Sequence, residues 1–432
     1  MGADPCLNYG AGLAATHRTP EAQASVLGRP ESSYAWVIVW ATFVCLALIF
    51  GVSYSFAAFF KSFGAEFAAQ RADVSLVFGL TGLVYFSLGI AGGMLADRFG
   101  PRVVCGTGMA VIAGSLVAAS FASSLQAVYW SYGVGIGVGI ALVYTPSIGN
   151  VQPWFTTRRG LAGGIASSGI GLGTLVVPLL VSAAIVAYDW RIAMRLMAVG
   201  VLVLGLLATG LLKRPALAPS STADTSNPGQ STPPGKTLAQ ALRDKRFWWF
   251  YAFTLAAAPV MFIPFAHVSA SARDLGIDEA RAVGLVGFIG IGSLLGRFGI
   301  GALADRLGRT LTLNLMQVSM GASYLLWWAA GGYPALAVFA LWMGLSYGGI
   351  VSLMPAICMD MFGARAIAGI VGTLYSGAAL GNLLGPVLAG RVFDQTGSYR
   401  WVIWICLAFS VLSALAGAQL VSKPEARPGS KA

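Results

Sequence analysis

Two sets of six long apolar runs, separated by one polar stretch, constrain this chain more than any other feature. The runs lie at about 35–60, 74–96, 103–122, 126–151, 161–187 and 192–212, then at about 247–272, 280–304, 310–331, 333–359, 366–390 and 399–421. Crossing a hydrocarbon layer about 30 Å thick takes about 20 apolar residues of helix, and each run has that length. Without water in the layer, every backbone N–H and C=O must be paired inside its own segment, which makes the runs helices. The expected fold is an all-α membrane protein with 12 transmembrane helices in two pseudo-symmetric six-helix halves. Composition agrees, with 57% of residues hydrophobic and 10% charged, against roughly 25% charged in a soluble domain.

Residues 1–34 are polar and turn-rich, with no apolar run behind basic residues, and are expected to form a disordered cytoplasmic tail rather than a signal peptide. Cys6 occupies the place where a myristoylation signal carries Ser or Thr. The expected units are an N-terminal bundle over 35–212, a cytoplasmic linker over 213–246 rich in Pro, Ser, Thr and Gly, a C-terminal bundle over 247–421, and a cytoplasmic tail over 422–432.

The net charge of +11 is distributed by side. With the N-terminus inside, 18 Lys and Arg fall on the inner side and eight on the outer, leaving Arg297 over. The positive-inside rule therefore places both termini in the cytoplasm. Because the cations stand in short loops without interleaved aromatics, nucleic acid is not an expected partner. Five dispersed cysteines with no CxxC pair indicate neither a disulfide framework nor a zinc site.

A ten-residue stretch after the second run, Gly93-Met94-Leu95-Ala96-Asp97-Arg98-Phe99-Gly100-Pro101-Arg102, recurs after the eighth as Gly301-Ala302-Leu303-Ala304-Asp305-Arg306-Leu307-Gly308-Arg309. Equivalent positions in two halves imply parallel repeats about an axis along the membrane normal. In this respect the chain resembles the major facilitator superfamily, whose signature loop has the form G-x-x-x-D-R-x-G-[RK]. The resemblance implies a gating role for Asp97, Arg98, Asp305 and Arg306, together with Arg158 and Arg159 in the loop before the fifth run.

Of the charged residues, only Arg297 falls well inside an apolar run, among Gly290, Gly292, Gly296 and Gly299, with no acid one turn away. An intramembrane charge is costly and marks a functional position unless it snorkels to the interface. Arginine stays protonated and offers a planar fork that matches a carboxylate, so an anionic substrate is the natural counter-charge. One fixed cation matches one negative charge; a dicarboxylate would leave its second charge desolvated and unpaired, which costs several kcal/mol.

Trp154-Phe155-Thr156-Thr157-Arg158-Arg159-Gly160-Leu161-Ala162-Gly163-Gly164-Ile165-Ala166 resembles the motif between spans 4 and 5 of the monocarboxylate transporter family. Glu31-Ser32-Ser33-Tyr34-Ala35-Trp36 is a degraded version of that family's entry motif. The resemblance covers residues 31–421 and implies that Arg297 is the substrate-anion ligand. Ser293 stands where animal members carry an Asp, and Ala58 near the place of a first-span Lys, with Lys61 beyond it. Related oxalate–formate exchangers carry a Lys in span 11, and the stretch from Leu374 to Ala379 has none.

Further substrate-binding candidates are Tyr144, beside Pro146 where the helix is expected to break, Tyr347 beside Gly348, and Tyr375, Ser376 and Asn382 in the eleventh run. Each also fits a plain helix-packing role. His267 is the candidate proton carrier. Alternatively no protein carboxylate or imidazole is needed, and the empty, charged Arg297 hinders the return stroke until substrate neutralises it.

No metal-ligand cluster, nucleophile with His and acid, or Walker loop is present, so neither an enzyme nor a primary pump is indicated and no cofactor is expected. The expected function is secondary active symport of short monocarboxylates such as lactate or pyruvate with protons, by a monomer in a bacterial inner membrane. The bacterial source is hinted at by 21 Arg against 6 Lys. Exchange of organic anions, or facilitated passage of another small acid, is the rival reading.

Overall fold

The computed structural model describes residues 33–155, 158–214, 235–363 and 365–421, with the side chains at 152, 159, 160, 302, 305 and 368 left undescribed. The expected tails and most of the linker therefore lie outside the described residues. Among the described residues there is no strand, only helix and short connections.

Among the described residues twelve long helices run back and forth. They are α1 (Ser33–Glu66) and α2 (Arg71–Phe99), α3 (Pro101–Ser120) and α4 (Leu125–Val151), then α5 (Arg159–Ala187) and α6 (Trp190–Gly210). The second set is α7 (Lys245–Asp274), α8 (Glu279–Leu307), α9 (Arg309–Trp328), α10 (Tyr333–Phe362), α11 (Ile367–Thr396) and α12 (Arg400–Ala418). Eleven are long and apolar enough to cross a membrane. The exception, α9, carries Asn314 and Gln317; the Gln317 amide N–H donates to Ser410 on α12 at 3.2 Å, while the side-chain oxygens of both residues are buried without a partner.

The end of the molecule bearing Gly100, Gly308 and the linker is the linker end, and the opposite end the far end. The repeated loops explain themselves geometrically. Gly100 and Gly308 have φ of 93° and 92°, a region in which a side chain would be strained. In both, the glycine N–H closes the preceding helix at 2.9 Å, onto Ala96 and Ala304. After Gly235, Lys236 clamps the linker to the end of α10: its N–H donates to the Phe362 carbonyl at 2.7 Å and its ammonium pairs with Asp244. Asp244 in turn caps α7 by accepting from the Arg246 N–H at 2.9 Å.

Packing puts α3, α6, α9 and α12 on the outside, where residues such as Val199, Leu207, Val411 and Leu415 are exposed. An apolar surface of that kind suits lipid rather than water. The two halves meet along two seams, α2 with α11 and α5 with α8. Glycine makes the second seam thin: a Cβ on Gly171 would lie 2.8 Å from the Gly290 carbonyl, and one on Gly290 2.7 Å from the Gly171 carbonyl. Three of the glycines around Arg297 thus serve helix approach, Gly290 against α5 and Gly292 and Gly296 against α10, while Gly299 faces open space.

One local expectation is corrected. The helix does not break at Pro146; α4 continues through it to Val151, and the irregularity lies upstream as a wide π-turn over Tyr129–Gly135. Neighbouring helices hold the proline-bearing segment in place, as they do in other packed membrane helices.

Candidate functional site: a tyrosine-ringed arginine between the halves

Midway along the bundle a cavity of about 50 Å³ is lined by Arg297 of α8, Tyr144 of α4, Tyr347 of α10 and Tyr375 of α11, with Phe50 and Tyr85 from α1 and α2. At roughly 10–15 Å³ per water, it holds a few waters, a contracted chamber rather than an open channel. Arg297 is half-buried. Its Nε donates a long hydrogen bond to Ser293 Oγ one turn back, at 3.4 Å, and its Nη2 is buried without an acceptor. Among the described residues it takes part in no ion pair. A buried guanidinium N–H without a partner costs more than an ordinary unmet donor.

The aromatic walls are ordered among themselves. Tyr144 packs edge-on against Phe50, centroids 5.4 Å apart, and Tyr375 against Phe86 at 5.8 Å. Tyr54 of α1 stacks on Phe265 of α7 at 4.0 Å, and its hydroxyl lies 3.2 Å from that of Tyr347. Along α7 the order is Phe262 on the cavity, Phe265 in this stack, then His267, so the stack roofs the cavity toward the far end.

Comparison with known proteins bears on what such a site serves. The family model described as Major Facilitator Superfamily matches residues 42–316 and 260–432. Monocarboxylate transporter 13 of Rattus norvegicus is 32% identical over 386 residues, covering 88% of this chain and 87% of that one. The chain belongs to the monocarboxylate transporter family of the major facilitator superfamily. Monocarboxylate transporter 12 of Homo sapiens is 27% identical, covering 89% and 79% of the two chains, and the MFS-type transporter opdF of Penicillium oxalicum 27% identical, covering 92% of each. As a family member the chain is a multi-pass membrane transporter and not an enzyme.

The transporter gathers four of the sequence candidates at one place: Arg297, Tyr144, Tyr347 and Tyr375. It puts two elsewhere. Ser376 turns toward α7, 3.3 Å from the Tyr251 hydroxyl, and the Asn382 amide points at the carbonyls of Phe78 and Gly79, both at 3.4 Å, on the α2–α11 seam. Tyr54 and Tyr85 were not singled out from the sequence; the signal available was a tyrosine inside an apolar run, the same one that marked Tyr144.

His267 is buried at the far end, away from the cavity lining. A carbonyl only accepts, so the Pro386 carbonyl at 2.8 Å requires the hydrogen on Nε2, which leaves Nδ1 to accept from the Tyr399 hydroxyl at 2.9 Å. Ser75 Oγ of α2 lies 3.1 Å from Nε2. Beside it the halves are tied together. Arg71 of α2 forms a two-pronged pair with Asp274 of α7, at 2.6 and 2.8 Å, while Nη1 also donates to Tyr399. The Arg71 guanidinium stacks 3.7 Å from the Phe393 ring centroid. Asp394 of α11 accepts from the N–H groups of Arg71 and Ala72 at 3.1 and 2.9 Å, capping the start of α2 from the opposite half.

The gating candidates stand at the linker end. Arg214 reaches the carbonyl of Ala96 at 2.5 Å and that of Asp97, and Arg98 lies 5.2 Å from the Phe99 ring centroid. Arg158 and Arg306 are exposed. The side chains of Arg159 and Asp305 lie outside the described ones. On the same face Arg309 pairs with Asp360 at 2.8 Å.

Proposed function

We infer that the protein carries short monocarboxylates, lactate and pyruvate being the simplest, together with protons, by alternating access of its two halves. The observation that carries this reading is the Arg297 guanidinium: unpaired by any carboxylate among the described residues, with one N–H buried and unmet, on a cavity between the halves. A carboxylate in the fork of Arg297 supplies the missing acceptor and cancels the charge. Relatives named monocarboxylate transporters support the substrate class.

Arg297, Tyr144, Tyr347 and Tyr375 form the substrate site in this reading. The carboxylate takes the guanidinium, and a hydroxyl or oxo group on the neighbouring carbon meets a phenol. With substrate bound, the loaded carrier brings no net uncompensated charge into the cavity, and the halves rock about the α2–α11 and α5–α8 seams. Without substrate the bare guanidinium hinders the return, which ties the movement of the halves to the anion; the proton that moves with it binds a group other than Arg297. The linker end faces the cytoplasm, and Asp97, Arg98, Asp305, Arg306, Arg158 and Arg159 gate it.

The test is uptake of labelled lactate into proteoliposomes with an imposed inward proton gradient and clamped voltage. Accumulation above the external concentration, blocked by pyruvate and spared by succinate and oxalate, is the expected result. Uptake that appears only after the vesicles are preloaded with another organic anion contradicts symport and makes the protein an exchanger.

A further inference from the structure

At the linker end the C-terminal half holds a cavity of about 470 Å³, walled by the start of α7, the α8–α9 turn and the ends of α10 and α12. It shares no lining residue with the Arg297 chamber. Its polar lining is Arg246, Arg309, Thr310, Asp360 and Gln419, over an apolar floor that includes the buried Ile357. Two arginines against one aspartate leave this described lining with a net charge of +1.

The two guanidinium groups are largely unspent. Arg309 meets Asp360 through Nη1 alone, which lies 2.8 Å from both carboxylate oxygens, so Nε and Nη2 remain available to another acceptor. Arg246 takes part in no ion pair among the described residues. α9 begins on the same cavity: its first closed turn runs from the Thr312 N–H to the Gly308 carbonyl at 3.0 Å, and the N–H groups ahead of that turn add to the pull on an anion.

The outer surface continues the site toward hydrocarbon. Leu311, Leu315 and Val318 follow Thr310 at the helical repeat along α9, and Leu415 and Leu412 lead back from Gln419 along α12, all five exposed. A cationic pocket at a helix-bundle end, with two apolar stripes running from it into the membrane, has the head-and-tail layout of a phospholipid.

We propose that this cavity binds the phosphodiester of an anionic membrane lipid of the phosphatidylglycerol type, with its headgroup between Arg246 and Arg309 and its chains along α9 and α12. A phosphodiester carries one negative charge and cancels the charge of the lining, whereas a choline headgroup brings a further cation beside the two arginines. Phosphate oxygens match the planar fork of arginine. Bound there, the lipid bridges the start of α7 to the start of α9 and ties the linker end of the C-terminal half together. Asp360 opposes it, occupying Arg309 while the lipid is absent and repelling the phosphate as it arrives. None of this depends on what Arg297 binds.

The experiment is lipid binding to the purified full-length protein in neutral detergent, read as adducts by native mass spectrometry, with dioleoyl phosphatidylglycerol, dioleoyl phosphatidylcholine and free glycerophosphoglycerol as probes. The expected result is a preference of about fivefold or more for phosphatidylglycerol over phosphatidylcholine, lost in Arg246→Gln. That variant breaks no ion pair found among the described residues, so its fold is expected to survive. Asp360→Asn is expected to strengthen the preference, a change of sign that a merely structural Arg309–Asp360 pair would not produce, and Arg281→Gln at the far end to leave it unchanged. Equal affinity for the two lipids, a preference that survives Arg246→Gln, or one that weakens in Asp360→Asn each overturns the proposal. Displacement of the lipid by free glycerophosphoglycerol would reassign the cavity to a soluble phosphodiester and overturn the lipid assignment as well.

Discussion

The phenolic oxygens of Tyr54 and Tyr347 lie 3.2 Å apart, one contributed by each half of the transporter. Tyr347 lines the chamber that holds Arg297, while Tyr54 is stacked on Phe265. The contact therefore joins the Arg297 chamber to the roof that separates it from the far end. Removing either hydroxyl deletes one neutral hydrogen bond, about 0.5–1.5 kcal/mol. Tyr347→Phe is expected to raise KM for lactate about two- to tenfold, whereas Tyr54→Phe changes the balance between far-open and far-closed states with little change in KM. Saturation curves in proteoliposomes, alongside far-side labelling of a cysteine placed in the chamber, separate the two.

The Arg71–Asp274 pair is partly screened by solvent, its side chains being 24% and 36% exposed, and exposed pairs contribute little on their own. Arg71 is nonetheless held by Tyr399, Phe393 and Asp394 as well. Asp274→Asn is expected to loosen the far end moderately and Arg71→Ala strongly, because only the second also removes the stacking. Distances between spin labels on α2 and α7 report this as a growing far-open population; identical distributions in wild type and Arg71→Ala would remove the latch from the account.

The hydrogen bonds of His267 are complete for a neutral ring whose hydrogen is on Nε2. A histidine satisfied in this way fits the closure of the far end, away from the Arg297 cavity. His267→Ala is therefore expected to keep pH-gradient-driven accumulation of lactate while slowing or biasing the opening step. Abolished accumulation with lactate binding intact would reassign His267 as the proton carrier.

At the linker end, the bond from the Lys236 ammonium holds the Asp244 carboxyl below its usual range. A depressed carboxylate contributes stability that is present above its ordinary value and is lost as pH falls through the lower folded one. The Lys236–Asp244 pair, which ties the linker to the start of α7, is thus expected to persist at about pH 5 and to release only as pH falls below the ordinary carboxylate range. Asp244→Asn removes the charge, and so the pair with Lys236, at every pH while its amide oxygen still caps α7. Limited proteolysis near Gly235 as a function of pH checks both: wild type is cut only in acid, the variant at neutral pH.

Much of this architecture is legible from residue order alone, since membrane helices must satisfy their own backbone and so leave long apolar runs. The repeated glycines, Gly100 and Gly308, announce two equivalent turns because few other residues tolerate their φ. Arg297 stands out because a charge within such a run has few reasons to be there. What cannot be read in order is what lies across a seam. Arg71 and Asp274 are 203 residues apart and each looks like an ordinary helix-end charge. Asn382 and Ser376 share a run with Tyr375, and only the rotation of α11 decides that Tyr375 meets the chamber while Asn382 meets α2. Pro146 marks a bend by its chemistry, yet packing against neighbouring helices carries α4 through it.

The central claim is that Arg297 is the anion ligand, and ligand-dependent thermal stabilisation of purified protein tests it without relying on transport. Wild type is expected to gain stability with lactate and pyruvate and not with succinate. Arg297→Lys, which keeps the charge but loses the fork, is expected to gain less, and Arg297→Gln nothing while remaining folded. A full lactate-dependent shift in Arg297→Gln would contradict the account.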